Sequence, residues 1–403
     1  MNSHRLKNVI NNLTGRSIDM FDEDLKSNEL WISEVLFGSS VIVIGGAGTI
    51  GRNYIKRILH YRFSRLVVID HNENGLAELI RDIRSSNYTV LPEIRTYAMD
   101  FGSDLFHQFI KSSDPFDIVA NFAATKHVRS EKDIWSIIGM LENNVIKNFN
   151  LLKLLQSHPP KKFFAVSTDK ATNPVNFMGA SKRAMEVVIT SFKDEFDITS
   201  GRFANVAFSN GSLLASFISK FFQHQTLVCP NDIKRYFVSP SESGSLCLLA
   251  SILGKSGDIF IPNLSPEDNL VDISNSLYAF LNELNLEPIF CDNDKDALRI
   301  QKHIPNLIQE GKYPVYLTET NTSGEKLYEE FYTEDETVDW SKFVNLGVVT
   351  TSISSLDEVN LFIKEWHKIK TSSPSKNEFM NYLNALINNF SHSSSDINLD
   401  DKL

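Results

Sequence analysis

The sequence predicts an α/β chain, a doubly wound parallel sheet followed by a smaller C-terminal domain, and three observations carry that expectation. First, between Ser40 and Val206 short apolar runs alternate with helical patterns: VIVIG, RLVVID, IRTYAMD, FDIVANFAA, KKFFAVS and ITSGRFANV. Short apolar runs spaced by helical segments are what a parallel sheet covered on both faces requires. Second, the glycine-rich turn GGAGTIG follows the first run and opens a helix, the junction at which such sheets approach a phosphate. Third, beyond about Phe208 the pattern becomes irregular, with PNDIKRYFVSPSES, IFIPNLSPEDN and TNTSGEKLYEEF interrupting apolar helices such as SLCLLASIL. That reads as a smaller, loop-rich cap that binds the substrate.

Right-handed crossovers with strand order 3-2-1-4-5-6 place the carboxyl ends of the first and fourth strands beside the switch-point crevice. The chemistry is therefore expected just after Ile44, Asn121 and Val166. The chain of 403 residues, 42% hydrophobic, is long enough to bury one large or two modest cores. Its formal charge of -10 is spread rather than blocked, which argues against a nucleic-acid partner. Cys229, Cys247 and Cys291 lie far apart without a CxxC pair, so neither a disulfide framework nor a metal site is expected. No apolar run approaches the ~20 residues of a membrane span, and MNSHRLKNVINNL lacks the apolar stretch of a signal peptide. A cytoplasmic location is expected. Residues 1–39 read as a polar, partly helical extension, 40–206 as the dinucleotide-binding domain with the catalytic residues, and 207–369 as mainly the cap. Residues 370–403 read as a helix and a Ser/Asp-rich tail with too little apolar surface to order itself.

In VIVIGGAGTIGRNYIKRIL, Gly45 permits the tight turn, Gly48 lets backbone N–H groups at Thr49 and Ile50 approach a pyrophosphate, and Gly51 lets helix and strand pack closely. Asp70 ends RLVVID 19 residues past Gly51, where a carboxylate can bond both hydroxyls of an adenosine ribose. The charge on Asp70 repels a 2'-phosphate, so NAD is preferred, while His71 and Arg81 keep NADP open. An ordinary strand–helix turn and a helix-capping Asp70 are the alternatives. Asp100, closing IRTYAMD, and its neighbour Phe101 are placed at the adenine edge, and Ala123 and Ala124 offer small side chains beside a dinucleotide.

The stretch VSTDKATNPVNFMGASK concentrates Thr168, Asp169, Lys170 and Lys182 directly behind the fifth apolar run. The helix expected from Phe177 carries Met178 and Lys182 on one face, four residues apart. A phenol is the usual proton-transfer group one turn before such a lysine, and here the position holds Met178.

Taken together, GGAGTIG, NFAATKHV, ENNV, STDKATNPVNFMGASK, RFANV and GEKLYEE span most of residues 40 to 345. This order resembles the extended short-chain dehydrogenases/reductases of Rossmann type, and among them the polysaccharide-biosynthesis branch of UDP-N-acetylglucosamine 4,6-dehydratases. The string STDKA-x-NP-x-N-x-MGASK is the specific part of the likeness. The resemblance implies a lyase in which bound NAD takes hydride from C4 of the sugar, water leaves across C5 and C6, and hydride returns to C6. It implies Lys170 as the base for C5–H and Asp169 as the acid for the departing hydroxyl, in a closed site. A lysine acts as a base only if its pKa falls well below ~10.4; Lys182 is expected to help supply the charge while bonding the nicotinamide ribose. Since a thioether exchanges no proton, Thr168, with Asp169 behind it, is expected to position the C4 hydroxyl.

Lys126 and His127 are placed to meet diphosphate or sugar, and Asn144 falls where the family has a helix-distorting asparagine near the cofactor and active site, where it is expected to contact substrate. Asn205 and Ser212 match family positions that contact the nucleotide sugar, and Arg235 in KRYF is available to pair with phosphate. Where the family reads RPGEK this chain reads TSGEK, with Thr322 for the arginine and Glu325 and Lys326 retained. That departure leaves UDP or GDP open. A nucleotide-sugar substrate, a homo-oligomer and a product used for surface glycan or nonulosonic acid synthesis are further implications. Two rivals stand beside this reading. A 4-epimerase needs no elimination and normally keeps the tyrosine, and a non-catalytic dinucleotide-binding scaffold needs neither Asp169 nor Lys170.

Overall fold

A computed structural model describes residues 3–127, 131, 133–319, 326, 328–351, 354–372, 374–387 and 390–392. Fifteen strands occur among them: β1 Ser40–Ile44, β2 Arg65–Asp70, β3 Glu93–Ala98, β4 Ile118–Asn121, β5 Lys162–Val166, β6 Ile198–Gly201, β7 Asn205–Val206, β8 Leu227–Pro230, β9 Lys234–Val238, β10 Ile259–Pro262, β11 Leu270–Asp272, β12 Glu287–Phe290, β13 Lys312–Thr318, β14 Thr337–Asp339 and β15 Leu346–Thr350. Nine form the central sheet in the order β14-β15-β10-β6-β5-β4-β1-β2-β3. The six expected strands thus stand in the order 3-2-1-4-5-6, all parallel, with apolar residues buried on both faces.

A clean domain boundary near residue 206, as expected from the sequence, is not present. The chain returns to the central sheet with β10, parallel to β6, and then β15 and β14, antiparallel. What separates as a cap is two small sheets, β11-β9-β7 and β12-β13-β8. The run ITSGRFANV is not one strand. Its first half is β6, its second half is β7 in a cap sheet, and the break at Arg202–Ala204 carries the chain across the carboxyl end of the large sheet.

Both terminal regions form helices that pack into the molecule. Helix Ser3–Thr14 buries Val9 and Leu13 in the cap core, and Asn8 Nδ2 donates to Glu283 at 3.0 Å. Arg16 reaches Glu242 at 2.8 and 3.0 Å and the Phe237 carbonyl at 2.9 Å. Phe21, Ile32 and Leu36 enter the main core. At the other end, helix Lys376–Asn384 begins on a Ser375/Glu378 capping box. Phe379, Tyr382, Leu383, Ile387 and Phe390 pack with Trp366 against the side of helix Phe177–Thr190. A period of three to four in FMNYLNALI explains this order: one apolar face suffices even in a Ser-rich context. Residues 393–403 lie outside those described.

Among the described residues no helix is long and apolar enough to cross a membrane, and no His/Cys/Asp/Glu group has a metal-holding arrangement. All three cysteines are buried free thiols; burial pushes Cys229 up to about 12 and Cys247 well above its ordinary range.

Candidate active site

A cavity of about 420 Å³ opens along the carboxyl ends of β1, β2, β4 and β5. Its floor begins at the turn after β1. Gly45 has φ +75°, and a Cβ there would stand 2.6 Å from the Ala123 nitrogen, so only glycine lets this turn close against the end of β4. A Cβ on Gly51 would meet the Gly45 carbonyl oxygen at 2.4 Å, which is why helix Thr49–Ile58 can start so near the strand. Gly45, Gly48, Thr49, Ile50 and Gly51 all line the cavity, leaving a backbone cradle at a helix N-terminus, the arrangement that suits a diphosphate.

Asp70 closes β2 at the cavity wall, accepting from Ala47 N at 3.0 Å and Asn72 N at 2.9 Å. It therefore braces the glycine turn and borders the cavity, while the cap of the next helix is Asn72, which accepts from Gly75 N at 3.0 Å, rather than Asp70. Asp100 and Phe101 line the same end, as do Ala123 and Ala124. Asp100 bonds Lys147 Nζ at 2.6 and 2.8 Å and Gly102 N at 2.7 Å. Partial burial opposes the charge, yet these contacts hold its carboxyl below the usual range.

The other wall is built by the turn after β5 and by helix Phe177–Thr190. Thr168, two residues past β5, is extended and caps the short turn Asp169–Ala171. A Cβ on Gly179 would lie 2.3 Å from the Lys170 carbonyl oxygen, so the glycine of MGASK is what lets this helix press against the turn. Asn176 caps the helix through Gly179 N at 2.7 Å. Thr168, Lys170, Met178 and Lys182 reach the cavity. Asp169 does not; only 1% exposed, it lies one layer behind. Its Oδ1 accepts from Thr168 Oγ1 at 2.8 Å and from Lys170 Nζ at 3.1 Å, while Oδ2 has no hydrogen-bond partner among the described residues.

The lowered pKa expected for Lys170 is not found. Burial alone would lower it, but the carboxylates of Asp169 and Glu329 together outweigh burial and the opposing Arg235, so Lys170 is raised. Lys182 is the lysine that is lowered, to about 8, by burial against a smaller pull from Glu186. Its Nζ donates to the Val166 carbonyl at 2.6 Å and touches Met185 Sδ at 3.1 Å, tying the helix to the end of β5. Burial also lowers Lys126.

The residues expected to meet substrate are only partly brought together. Lys126 and Asn205 line the cavity, and Asn205 Nδ2 reaches the Tyr236 carbonyl at 3.5 Å. His127 is exposed and packs by Gly211 outside the wall. Ser212 is spent as the N-cap of helix Leu213–Phe222. Arg235 is buried behind the wall, donating to the Lys234 and Lys326 carbonyls at 2.8 and 3.0 Å. Asn144 is fully enclosed and cannot touch a substrate. The helix widens into a π turn over Glu142–Ile146, and there Asn144 accepts from Thr125 N at 2.8 Å and donates to Thr125 O and Ser181 Oγ at 2.8 and 2.9 Å. Its work is to clamp the loop after β4 onto helix Phe177–Thr190. Glu325 lies outside the described residues.

The residue the sequence did not disclose is Glu329. It is 5% exposed, and its Oε1 stands 3.6 Å from Lys170 Nζ. The only signal for it was its place in GEKLYEE.

The family model described as "Polysaccharide biosynthesis protein" matches residues 41–351. An uncharacterised membrane protein of Methanocaldococcus jannaschii is 29% identical over 79% of this chain and 87% of its own. A UDP-N-acetylglucosamine 4,6-dehydratase (inverting) of Campylobacter jejuni is 24% identical over 59% of this chain and 70% of its own. A UDP-glucose 4-epimerase of Rickettsia bellii is 26% identical over 61% and 72%. This chain spans 41% of the length of the CapD protein of Staphylococcus aureus, which it matches at 26% identity over 61% of its own residues. Among solved structures, Pen of Bacillus thuringiensis superposes with TM-score 0.62 at 21% identity, covering 80% of this chain and 92% of Pen. The dTDP-glucose 4,6-dehydratase DesIV of Streptomyces venezuelae superposes with TM-score 0.55 at 16% identity, covering 82% and 97%. The two solved structures share the doubly wound sheet found here, and the family match runs from β1 through the turn after β15: the chain belongs to the polysaccharide biosynthesis protein family, an extended short-chain dehydrogenase/reductase.

Proposed function

We propose that this chain is an NAD-dependent nucleotide-sugar 4,6-dehydratase that converts UDP-N-acetylglucosamine, or a related NDP-N-acetylhexosamine, to a 4-keto-6-deoxy sugar nucleotide. The observation that carries the reading is the hydrogen-bonded chain Thr168–Asp169–Lys170, opening on the same cavity as the Gly45 turn and Asp70. The glycine cradle and the Asp70 edge fit an adenine dinucleotide without a 2'-phosphate, and the DesIV structure was solved with NAD bound. When bound, NAD supplies reversible hydride acceptance at C4 and hydride donation to C6.

The chain's own residues account for the proton movements. Lys170 reaches the cavity, takes the role of base for the C5 proton on this reading, and must be an amine to take it. Asp169 communicates with the cavity only through its two neighbours, so a proton for the leaving hydroxyl passes by way of Thr168 Oγ1, whose hydroxyl both donates and accepts. Met178, at the wall where a phenol would stand, exchanges no proton and leaves Thr168 as the polar group beside the sugar. Lys182 holds the end of β5 and offers positive charge along the floor.

The match to a UDP-glucose 4-epimerase keeps a second reading in view. An epimerase returns hydride to C4 and has no use for the acid–lysine pair. Proton NMR of the product formed from UDP- and GDP-N-acetylglucosamine in heavy water separates the two. The expected product is a 4-keto-6-deoxy sugar with deuterium at C5; a 4-epimer with protium at C5 would overturn the proposal.

A further inference from the structure

Lys170 is one cation between two buried carboxylates. Asp169 Oδ1 is 3.1 Å from its Nζ and Glu329 Oε1, from a segment remote in sequence, is 3.6 Å away. An adjoining buried cluster shows how this protein treats carboxylates whose task is structural. There Arg202 meets both oxygens of Glu186 and both of Glu336 at 2.6 to 2.9 Å. Among the described residues Glu329 receives no such closure: its ion pair is longer, and the lysine it faces retains 18% side-chain exposure toward the cavity. Other charges around this group are Arg235 from β9 and Lys326 from its own segment. Lys326 is also turned elsewhere, donating to the Thr172 carbonyl at 2.9 Å.

The segment carrying Glu329 is held at the site by the adjoining cluster. Arg202, at the end of β6, donates to the Phe331 carbonyl at 3.0 Å and grips Glu336, while Arg183 of helix Phe177–Thr190 reaches Glu336 at 2.8 Å. Glu329 is thus docked from a distant stretch of chain onto the residue expected to act as base, and the docking excludes water from most of its side chain.

We propose that Glu329 is a positioning residue that controls the protonation state of Lys170: its carboxylate holds Nζ as an ammonium in the resting site, and Lys170 becomes an amine only when that charge is neutralised. The catalytic meaning of this control rests on the dehydratase reading. For elimination, one N–H bond of the ammonium breaks and one O–H bond forms on Asp169 Oδ1, giving the amine and the carboxylic acid that the reaction uses. A charged Glu329 opposes this transfer by stabilising the ammonium, and a protonated Glu329 does not. Burial and the nearby Asp169 raise the pKa of Glu329, with Lys170, Arg235 and Lys326 pulling the other way.

The test reads Lys170 directly. The full-length protein is pulsed with acetic anhydride over a range of pH, and acetylation of Lys170 is followed by mass spectrometry, since only the amine reacts. An opposite charge within this range moves a pKa by about 1–3 units, so Glu329→Gln should acetylate Lys170 at least about tenfold faster at every pH below its ionisation. Glu329→Asp, which retains the charge, should stay within about threefold of the unaltered protein. Equal rates in Glu329→Gln and the unaltered protein overturn the proposal. Equally fast labelling in both variants also overturns it, because packing rather than charge would then be at work. In turnover, Glu329→Gln should move the ascending limb of kcat against pH to lower pH. The labelling shift requires no reaction, so its presence without any 4-keto product would sink the dehydratase reading and leave the control of Lys170 standing.

Discussion

Two buried ionic clusters sit side by side at the carboxyl end of the sheet, built from the same pieces of chain, and they are finished differently. In the first, Arg202 and Arg183 face Glu186 and Glu336. Two cations balance two anions, and every carboxylate oxygen accepts at least one hydrogen bond. Burial would raise both acids, yet the arginines win; Glu186 is lowered and Glu336 falls to about 2. In the second, Lys170 alone faces Asp169 and Glu329, one carboxylate oxygen of Asp169 has no donor among the described residues, and the lysine borders a cavity. Guanidinium can satisfy two carboxylates at once with a fixed fork of donors, whereas an ammonium is a compact charge that can lose its proton. The difference teaches which cluster stabilises the structure and which is left incomplete in a way that chemistry can use.

The largest effect should come from breaking the first cluster. Arg202→Met leaves Glu186 and Glu336 buried with Arg183 as their one remaining cation, and removing one partner of a buried pair costs about 3–5 kcal/mol. Chemical denaturation should show that loss together with a lower midpoint, and a cost below about 1 kcal/mol would mean that the cluster does not clamp the fold. Turnover should fall only as folded protein is lost or as the Glu329 segment loosens.

Lys170→Met should invert the pattern. Turnover is expected to drop by about 10²–10⁴, the usual contribution of a positioned acid or base, while the stability loss stays smaller than that of Arg202→Met because Glu329, already raised by burial, can take up a proton once the lysine is gone. A variant that kept full turnover would remove Lys170 from the mechanism. A variant as unstable as Arg202→Met would erase the distinction between the clusters.

A third and smaller effect concerns Lys182, which lies between the two clusters. Its folded pKa of about 8 is below its ordinary 10.5. Between those values the unfolded chain holds a proton that the folded chain has released, so stability rises with pH through that window. Below about pH 8 both states are protonated and the cost of burying the ammonium is felt in full. Lys182→Met should flatten the rise in stability between pH 8 and 10.5 measured by denaturation, and an unchanged slope would show that the charge is not buried as the contacts to Val166 and Met185 require.

Much of the molecule was legible in the amino-acid order because local chemistry specified it. Apolar runs and a glycine turn required parallel strands with a helix started close behind β1, and the order 3-2-1-4-5-6 agreed with crossover handedness. The cluster Thr168–Asp169–Lys170 was legible for the same reason, since three consecutive residues at a strand end stay close to one another whatever the rest of the chain does. Misreadings arose where a residue's meaning depended on remote partners. Ser212 and Asn144 looked like ligand contacts and prove to be a helix cap and a loop clamp. A C-terminal helix was expected but not its partner: Phe379, Tyr382 and Phe390 find a prepared apolar face on helix Phe177–Thr190.

The amino-acid order alone therefore determined the sheet, the glycine cradle and the acid–lysine pair, all set by backbone conformation and side-chain period over a few neighbouring residues. Tertiary structure alone decided that Lys170 is raised and Lys182 lowered, that Glu329 stands against the first and not the second, and that Asp169 speaks to the cavity through Thr168. Those outcomes turn on desolvation and on charges only a few ångströms apart, and such distances exist only once segments far separated in the chain have been packed together.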